Sequence, residues 1–148
     1  MDIKVIDKIE KIDYEIWKSD FINYLIFNKN KVKEKNLKTL WKWLNTSNHP
    51  QEGIFALCKK NIIGHAHFRS APNSVRGENV GFLDDIFVKP EFRKKGVANK
   101  LIKKLVTIGR KNKWELIRWN CGYNNFEAIK FYNTFAKKLK WHTFEIKL

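Results

Sequence analysis

Around Gly96 the hydrophobic period of the chain changes. Residues 80–88 read as a strand, whereas Val97, Ala98, Leu101, Ile102, Leu105 and Val106 recur at helical spacing, with Lys100, Lys103 and Lys104 off that face. A strand that passes through the loop Lys89-Pro90-Glu91-Phe92 into an amphipathic helix commits the chain to helices packed on a sheet. The turn between them is Arg93-Lys94-Lys95-Gly96-Val97-Ala98. It opens a helix N-terminus, where amides lack partners and partial positive charge gathers, which suits a phosphate. Gly96 permits backbone conformations that other residues resist, and Ala98 is small enough for close approach. Read alone, the same residues also describe an ordinary helix start with a basic first turn.

The remaining elements follow from pattern. Ile3–Ile6 reads as a short first strand. Tyr14, Trp17, Phe21 and Leu25 give one helix, and Leu37, Leu40, Trp41 and Leu44 give a second, ended before His49-Pro50 because proline blocks continuation. Residues 54–58 and 62–68 form a hairpin about Lys59-Lys60-Asn61. Residues 114–121 read as the next strand. Asn124 is expected to cap a following helix, with Glu127 as its reciprocal partner, running through Ala128, Ile129, Tyr132 and Phe135. Residues 141–148 read as a final strand. The order β-α-α-β-β-β-α-β-α-β is mixed α/β (α+β) around one sheet, and no repeat or linker divides residues 1–148, so one domain is expected.

Charge needs its distribution as well as its total. The net charge is +15, from 30 Lys+Arg against 15 Asp+Glu. Lysine and asparagine are both abundant, which is the mark of coding bias and requires no partner. Residues 89–118 nevertheless hold eleven Lys/Arg against Glu91 and Glu115, which favours a polyanionic ligand near the strand–helix turn. A nucleic-acid binder would carry basic residues interleaved with aromatics in a recognition motif; none is present, and this weighs against nucleic acid as partner. No apolar run approaches a membrane span of about 20 residues, and Met1-Asp2-Ile3-Lys4 lacks the apolar stretch of a secretion signal. Two cysteines, Cys58 and Cys121, are too few for a disulfide framework. A cytoplasmic protein without membrane contact is the expectation.

Three groups of residues invite chemistry. Asp84 and Asp85 interrupt an apolar strand, and such breaks in local pattern often mark sites. Alternation turns neighbouring side chains to opposite faces, so one of the two can enter a cleft unless a bulge changes their facing. His65 and His67 share a strand face, but no third ligand stands at suitable spacing, so no metal is expected. One of them either lines a cleft or is a satisfied structural histidine. Tyr132 carries a phenol, a group able to serve as an acid, and by pattern alone it reads as a core aromatic on an amphipathic helix.

The turn R-x-x-G-x-A at Arg93–Ala98, behind a strand ending Phe87-Val88, resembles the acetyl-CoA site of the GNAT N-acetyltransferase superfamily. The segment Asn125-x-x-Ala128-x-x-Phe131-Tyr132 is similar to a second motif of that family. Softer likeness to its polyamine/histone-acetyltransferase-like branch lies in Gly64–His67, Phe82–Val88, Thr39-Leu40-Trp41, Trp119 and Trp141–Phe144. The resemblance implies a mixed, mostly antiparallel sheet of about six to seven strands flanked by about four helices. It implies acetyl-CoA as cosubstrate, with Arg93, Lys94, Lys95, Gly96, Val97, Ala98 and Asn99 at the pyrophosphate. Backbone of Ile86, Phe87 and Val88 would pair the pantetheine arm, with Asn125, Phe131 and Tyr132 beside it. Lys94 stands where the family often has Gly.

From the same resemblance Tyr132 protonates the departing thiolate, Asp84 serves the acceptor amine or acts as base, and Asp85 shares the acceptor site. Trp17, Tyr24 and Trp41 belong to the helical region that walls the acceptor. The expected reaction is direct attack of a primary amine on the thioester, a small-molecule amine (polyamine, amino acid or related metabolite) being favoured over a protein lysine. Many members are homodimers, so a homodimer is among the expectations.

Overall fold

The computed structural model describes residues 1–148. The elements are β1 (Lys4–Ile6), a 3-10 turn at Ile9–Lys11, α1 (Tyr14–Phe27), α2 (Glu34–Leu44), β2 (Gln51–Cys58), β3 (Asn61–Asn73) and β4 (Glu78–Val88). A 3-10 turn at Pro90–Phe92, α3 (Val97–Lys111), β5 (Ile117–Trp119) and α4 (Phe126–Tyr132) follow. No helix is long and apolar enough to cross a membrane.

Five strands form one sheet in sequence order, antiparallel from β1 to β4, with β5 added parallel to β4. A parallel neighbour requires a crossover, and α3 supplies it. Its apolar stripe puts Val97, Leu101, Ile102 and Leu105 against Ile54, Ala56, Ile63, Ala66, Phe68 and Leu83 on one face of the sheet. On the other face α1 and α2 deliver Trp17, Phe21 and Leu37 onto Phe55 and Ile62. Helices on both faces explain why β3 is buried without interruption from Ile62 to Phe68, where one-sided cover would leave alternation. At Gly81 a Cβ would lie 2.5 Å from the Trp114 ring, so glycine there is a packing requirement.

Local signals set the helix ends. The Asp13 side chain accepts from the Glu15 amide at 2.8 Å and caps α1. Asn125, one residue later than sequence indicates, caps α4 by accepting from the Ala128 amide at 3.3 Å. That helix stops at Tyr132, and Phe135 lies in the turn after it.

Two strand expectations are corrected. Residues 114–121 contribute only Ile117–Trp119, because the ladder with β4 spans Gly81–Leu83 and stops. Residues 141–148 form no strand: no edge pairs them, and Trp141, Phe144 and Ile146 are exposed. The sheet therefore has five strands, fewer than six to seven, with the expected four α-helices.

Leu101 is fully buried between α3 and the sheet. Leu101→Ala should lower unfolding free energy by about 2–5 kcal/mol, read from urea denaturation with an unchanged slope.

Candidate active site

β4 and β5 pair over three residues and then part. Beyond Leu83 the outer edge of β4 has no strand beside it. The opening forms a cleft of about 120 Å³ lined by Tyr24, Phe27 and Asn28 from the end of α1, Leu83–Phe87 of β4, Trp119–Gly122 after β5, and Asn125 and Tyr132 of α4. Asp84, Asp85, Ile86, Phe87, Asn125 and Tyr132 are thus brought together. A larger polar hollow of about 680 Å³ lies elsewhere, around Ser47–Gly53, Asn79 and Trp114, and contains none of the residues singled out for chemistry.

The two carboxylates reach the same side of the sheet through a bulge. His67 pairs with Asp85 and the next residue, Phe68, pairs with Leu83, so Asp84 has no partner across the ladder. Asp84 accepts from Arg69 Nε at 2.9 Å and from Gln51 Nε2 at 3.1 Å. Asp85 Oδ1 lies 2.9 Å from His67 Nδ1 and 3.2 Å from His65 Nε2. His65, His67 and Arg69 alternate along β3 and share one face, so both aspartates look toward α1.

Behind Asp85 is a buried ionic chain. His65 Nδ1 bonds the Asp20 carboxylate, and both side chains are fully buried. Lys89 Nζ is 4.0 Å from the other Asp20 oxygen. Trp17 Nε1 donates to His67 Nε2 at 3.4 Å. Burial alone would depress the His65 pKa, but the Asp20 charge and hydrogen bond, with Asp85, outweigh it and raise it from 6.5 to about 9. Burial pushes the Asp85 carboxyl up, yet the two histidines more than reverse this and hold it well below the usual carboxylate range. Asp20 was not singled out from sequence. The available signal was a charged residue on the apolar stripe of α1, next to Trp17, Phe21 and Tyr24.

Ligand-type atoms of His65, His67 and Asp85 lie within 4.8 Å of one another, so the third group missing from the sequence spacing comes from β4. The hydrogen bonding does not suit a cation. An indole N–H only donates, which makes His67 Nε2 an acceptor and leaves the proton on Nδ1, the atom a metal would need.

Tyr132 packs edge-on to Trp119 with ring centres 5.3 Å apart. Burial, with a smaller contribution from Cys121, pushes its hydroxyl up to about 12, so it keeps its proton at neutral pH. Tyr24 is raised further, first by burial and then by Asp85, Asp84 and Tyr132. Burial also raises the Cys121 thiol. Phe131 turns away, against the core under α3.

The turn before α3 lies outside the cleft lining but follows directly from the end of β4. Amides of residues 94–99 meet no backbone or side-chain acceptor. Gly96 has φ 77° and Lys94 φ 57°; a Cβ on Gly96 would meet nothing within 4 Å, so its glycine is a matter of conformation, with open space before the helix. Lys94 and Lys95 are exposed. Arg93 instead braces the strand end: its Nε donates to Val88 O at 3.0 Å and its guanidinium lies 4.7 Å from the Phe27 ring centre.

Residues 14–136 match the Acetyltransferase (GNAT) family. The chain belongs to the GNAT family. It is 29% identical over 91 residues to thialysine N-epsilon-acetyltransferase of Sus scrofa, covering 58% of this chain and 53% of that protein; it therefore spans about half the length of that relative. Likeness of fold to solved structures covers nearly the whole chain. A ribosomal-protein-alanine N-acetyltransferase from Brucella melitensis superposes with TM-score 0.78 at 22% identity, covering 99% of this chain and 98% of that one. An aminoglycoside N-acetyltransferase in complex with CoA does so with TM-score 0.72 at 21% identity, covering 99% and 98%.

Because folding raises the His65 pKa from 6.5 to about 9, its contribution is fully present below about pH 6.5 and is lost as pH rises through about 9. Thermal melts from pH 7 to 9.5 should show a falling midpoint, and His65→Gln should flatten that slope.

Proposed function

We propose that this GNAT chain moves an acetyl group from acetyl-CoA to a primary amine by direct attack, with a small-molecule amine as acceptor. The observation that carries the reading is the unpaired edge of β4 leading to the acceptorless amides of residues 94–99. An extended pantetheine arm can add to such an edge as a strand would. The pyrophosphate then meets the amides of Lys94, Lys95, Gly96, Val97, Ala98 and Asn99, with the lysine charges alongside. Arg93 acts by holding the end of the strand. Asn125 keeps α4 in place beside the arm, and Phe131 seats the same helix on the core.

The amine nitrogen bonds to the acetyl carbon while the carbon–sulfur bond breaks. Tyr132, protonated at neutral pH, gives its proton to the departing thiolate. The ammonium first loses one proton through water toward Asp84, at the mouth of the cleft, and the second proton, shed as the amide forms, returns through water to Tyr132. Two carboxylates on the cleft side favour an acceptor that arrives as a cation, since free alkylamines are protonated at pH 7. We include no metal in this chemistry. A cytoplasmic homodimer completes the reading: the location rests on the sequence composition, and the dimer on the family resemblance alone.

Acetyl-CoA should raise the melting temperature, and an amine panel should reveal acetyl transfer by thiol release; no stabilisation at millimolar acetyl-CoA removes the assignment. Tyr132→Phe should lower kcat by about 10²–10⁴-fold with acetyl-CoA affinity retained. Gly96→Glu should weaken CoA binding through its left-handed φ and added negative charge, and retained affinity would displace the pyrophosphate from this turn.

A further inference from the structure

Asp20 needs an explanation that packing does not give. It is fully buried on the apolar stripe of α1, among Trp17 and Phe21. One of its oxygens has no hydrogen-bond donor, and Lys89 stands 4.0 Å off. Buried ion pairs are generally no more stabilising than well-packed apolar residues of similar volume, so stability alone does not account for a carboxylate here. Its other oxygen is bonded to His65 Nδ1, and the far side of that ring faces Asp85 at 3.2 Å. Asp85 retains 11% exposure of its side chain and lines the cleft.

The protons of this chain follow from its partners. His65 lies between two carboxylates: Nδ1 is hydrogen-bonded to Asp20, while Nε2 makes no hydrogen bond but stands 3.2 Å from Asp85 Oδ1, and negative charge on both sides of the ring suits an imidazolium. His67, with Nε2 taken by the Trp17 N–H, presents Nδ1–H to Asp85. His67 Nδ1–H donates to Asp85 and the His65 imidazolium lies 3.2 Å from it, so its ionised form is favoured and its protonated form is not. Asp85 is thereby a fixed negative charge at the cleft floor and a poor proton acceptor. Asp84 differs: its partners are Arg69 and Gln51, and no buried chain backs it.

We propose that Asp20 and His65 are positioning residues that hold Asp85 as a carboxylate aimed into the acceptor cleft, where it binds an ammonium group of the acceptor. The assignment deepens the acetyltransferase reading and rests on it for the identity of the ligand. The charged and titratable groups facing His65 are Asp20 and Tyr24 from α1, His67 from β3 and Asp85 from β4, with Lys89 on the far side of Asp20. Those facing Asp85 are His65, His67, Tyr24 and the neighbouring Asp84.

Two measurements on the full chain decide the matter. Long-range 15N–1H NMR of the imidazoles at pH 7.5 should show both nitrogens of His65 protonated and His67 as the neutral Nδ1–H tautomer. In Asp20→Asn, His65 should become neutral. Calorimetry with 1,4-diaminobutane should give a Kd weakened about ten- to hundredfold in Asp85→Asn and in Asp20→Asn, while acetyl-CoA affinity is unchanged. A neutral His65 in the wild type overturns the proposal, as does an unchanged diamine Kd in Asp20→Asn with folded protein by NMR. Stoichiometric Zn2+ binding that shifts His65 and His67 would make them ligands and also overturns it. If the wild type binds the diamine but transfers no acetyl group, the acetyltransferase reading fails alone. If it transfers acetyl groups to amines and the variants bind the diamine normally, the positioning role fails alone.

Discussion

Between His67 and Phe68 of β3, β4 inserts one residue more than the ladder can pair. That single residue turns Asp84 and Asp85 to one face, where strict alternation would have driven one of them into the apolar layer under α3. The same strand also loses its other neighbour just there, since β5 pairs only as far as Leu83. Carboxylates, open edge and the approach of Tyr132 therefore coincide at one point along β4. The helices adjust to this strand: α1 brings Asp20 and Phe27 to its carboxylate face, and α3 follows it after the turn at Pro90–Phe92.

Much of this is legible in the sequence where physics is local. The change of period at Gly96 locates α3, and the apolar stripes locate both layers of the core. The adjacent carboxylates Asp84-Asp85, out of place in an apolar strand, mark the cleft by local pattern alone. What escapes the sequence depends on contacts across the fold. The bulge cannot be read from β4 alone, because it is defined by the residues that β3 fails to offer. Asp20 stands on a stripe that reads as packing, and its full burial against His65 appears only once the sheet is in place. Residues 141–148 have a strand-like composition, yet a strand exists through its partner, and none is present. Arg93 is matched to phosphates by its charge, whereas its geometry binds it to Val88 and Phe27.

The two faces of the sheet carry different kinds of chemistry. The α3 side is wholly apolar at its centre, from Ile54 to Leu105. The α1 side buries two histidines and an aspartate inside a ring of Trp17, Phe21, Tyr24 and Phe87. Aromatic edges pack against the imidazoles, and the Nδ1 atom of each ring bonds a carboxylate, His65 to Asp20 and His67 to Asp85. A low-dielectric surround strengthens such bonds and raises the cost of breaking one.

Lys94 holds φ 57° with a full side chain, beside Gly96 at φ 77°. A left-handed residue other than glycine carries strain on the order of 1–3 kcal/mol, and here no hydrogen bond to the local amides offsets it. An anion seated on those amides would. With the proposed pyrophosphate there, folding and occupancy would be linked at this turn, and a ligand at 100 times its Kd would add about 2.7 kcal/mol to the native state. In a cell the lifetime of the folded chain would then follow the supply of its anionic ligand as well as its own sequence.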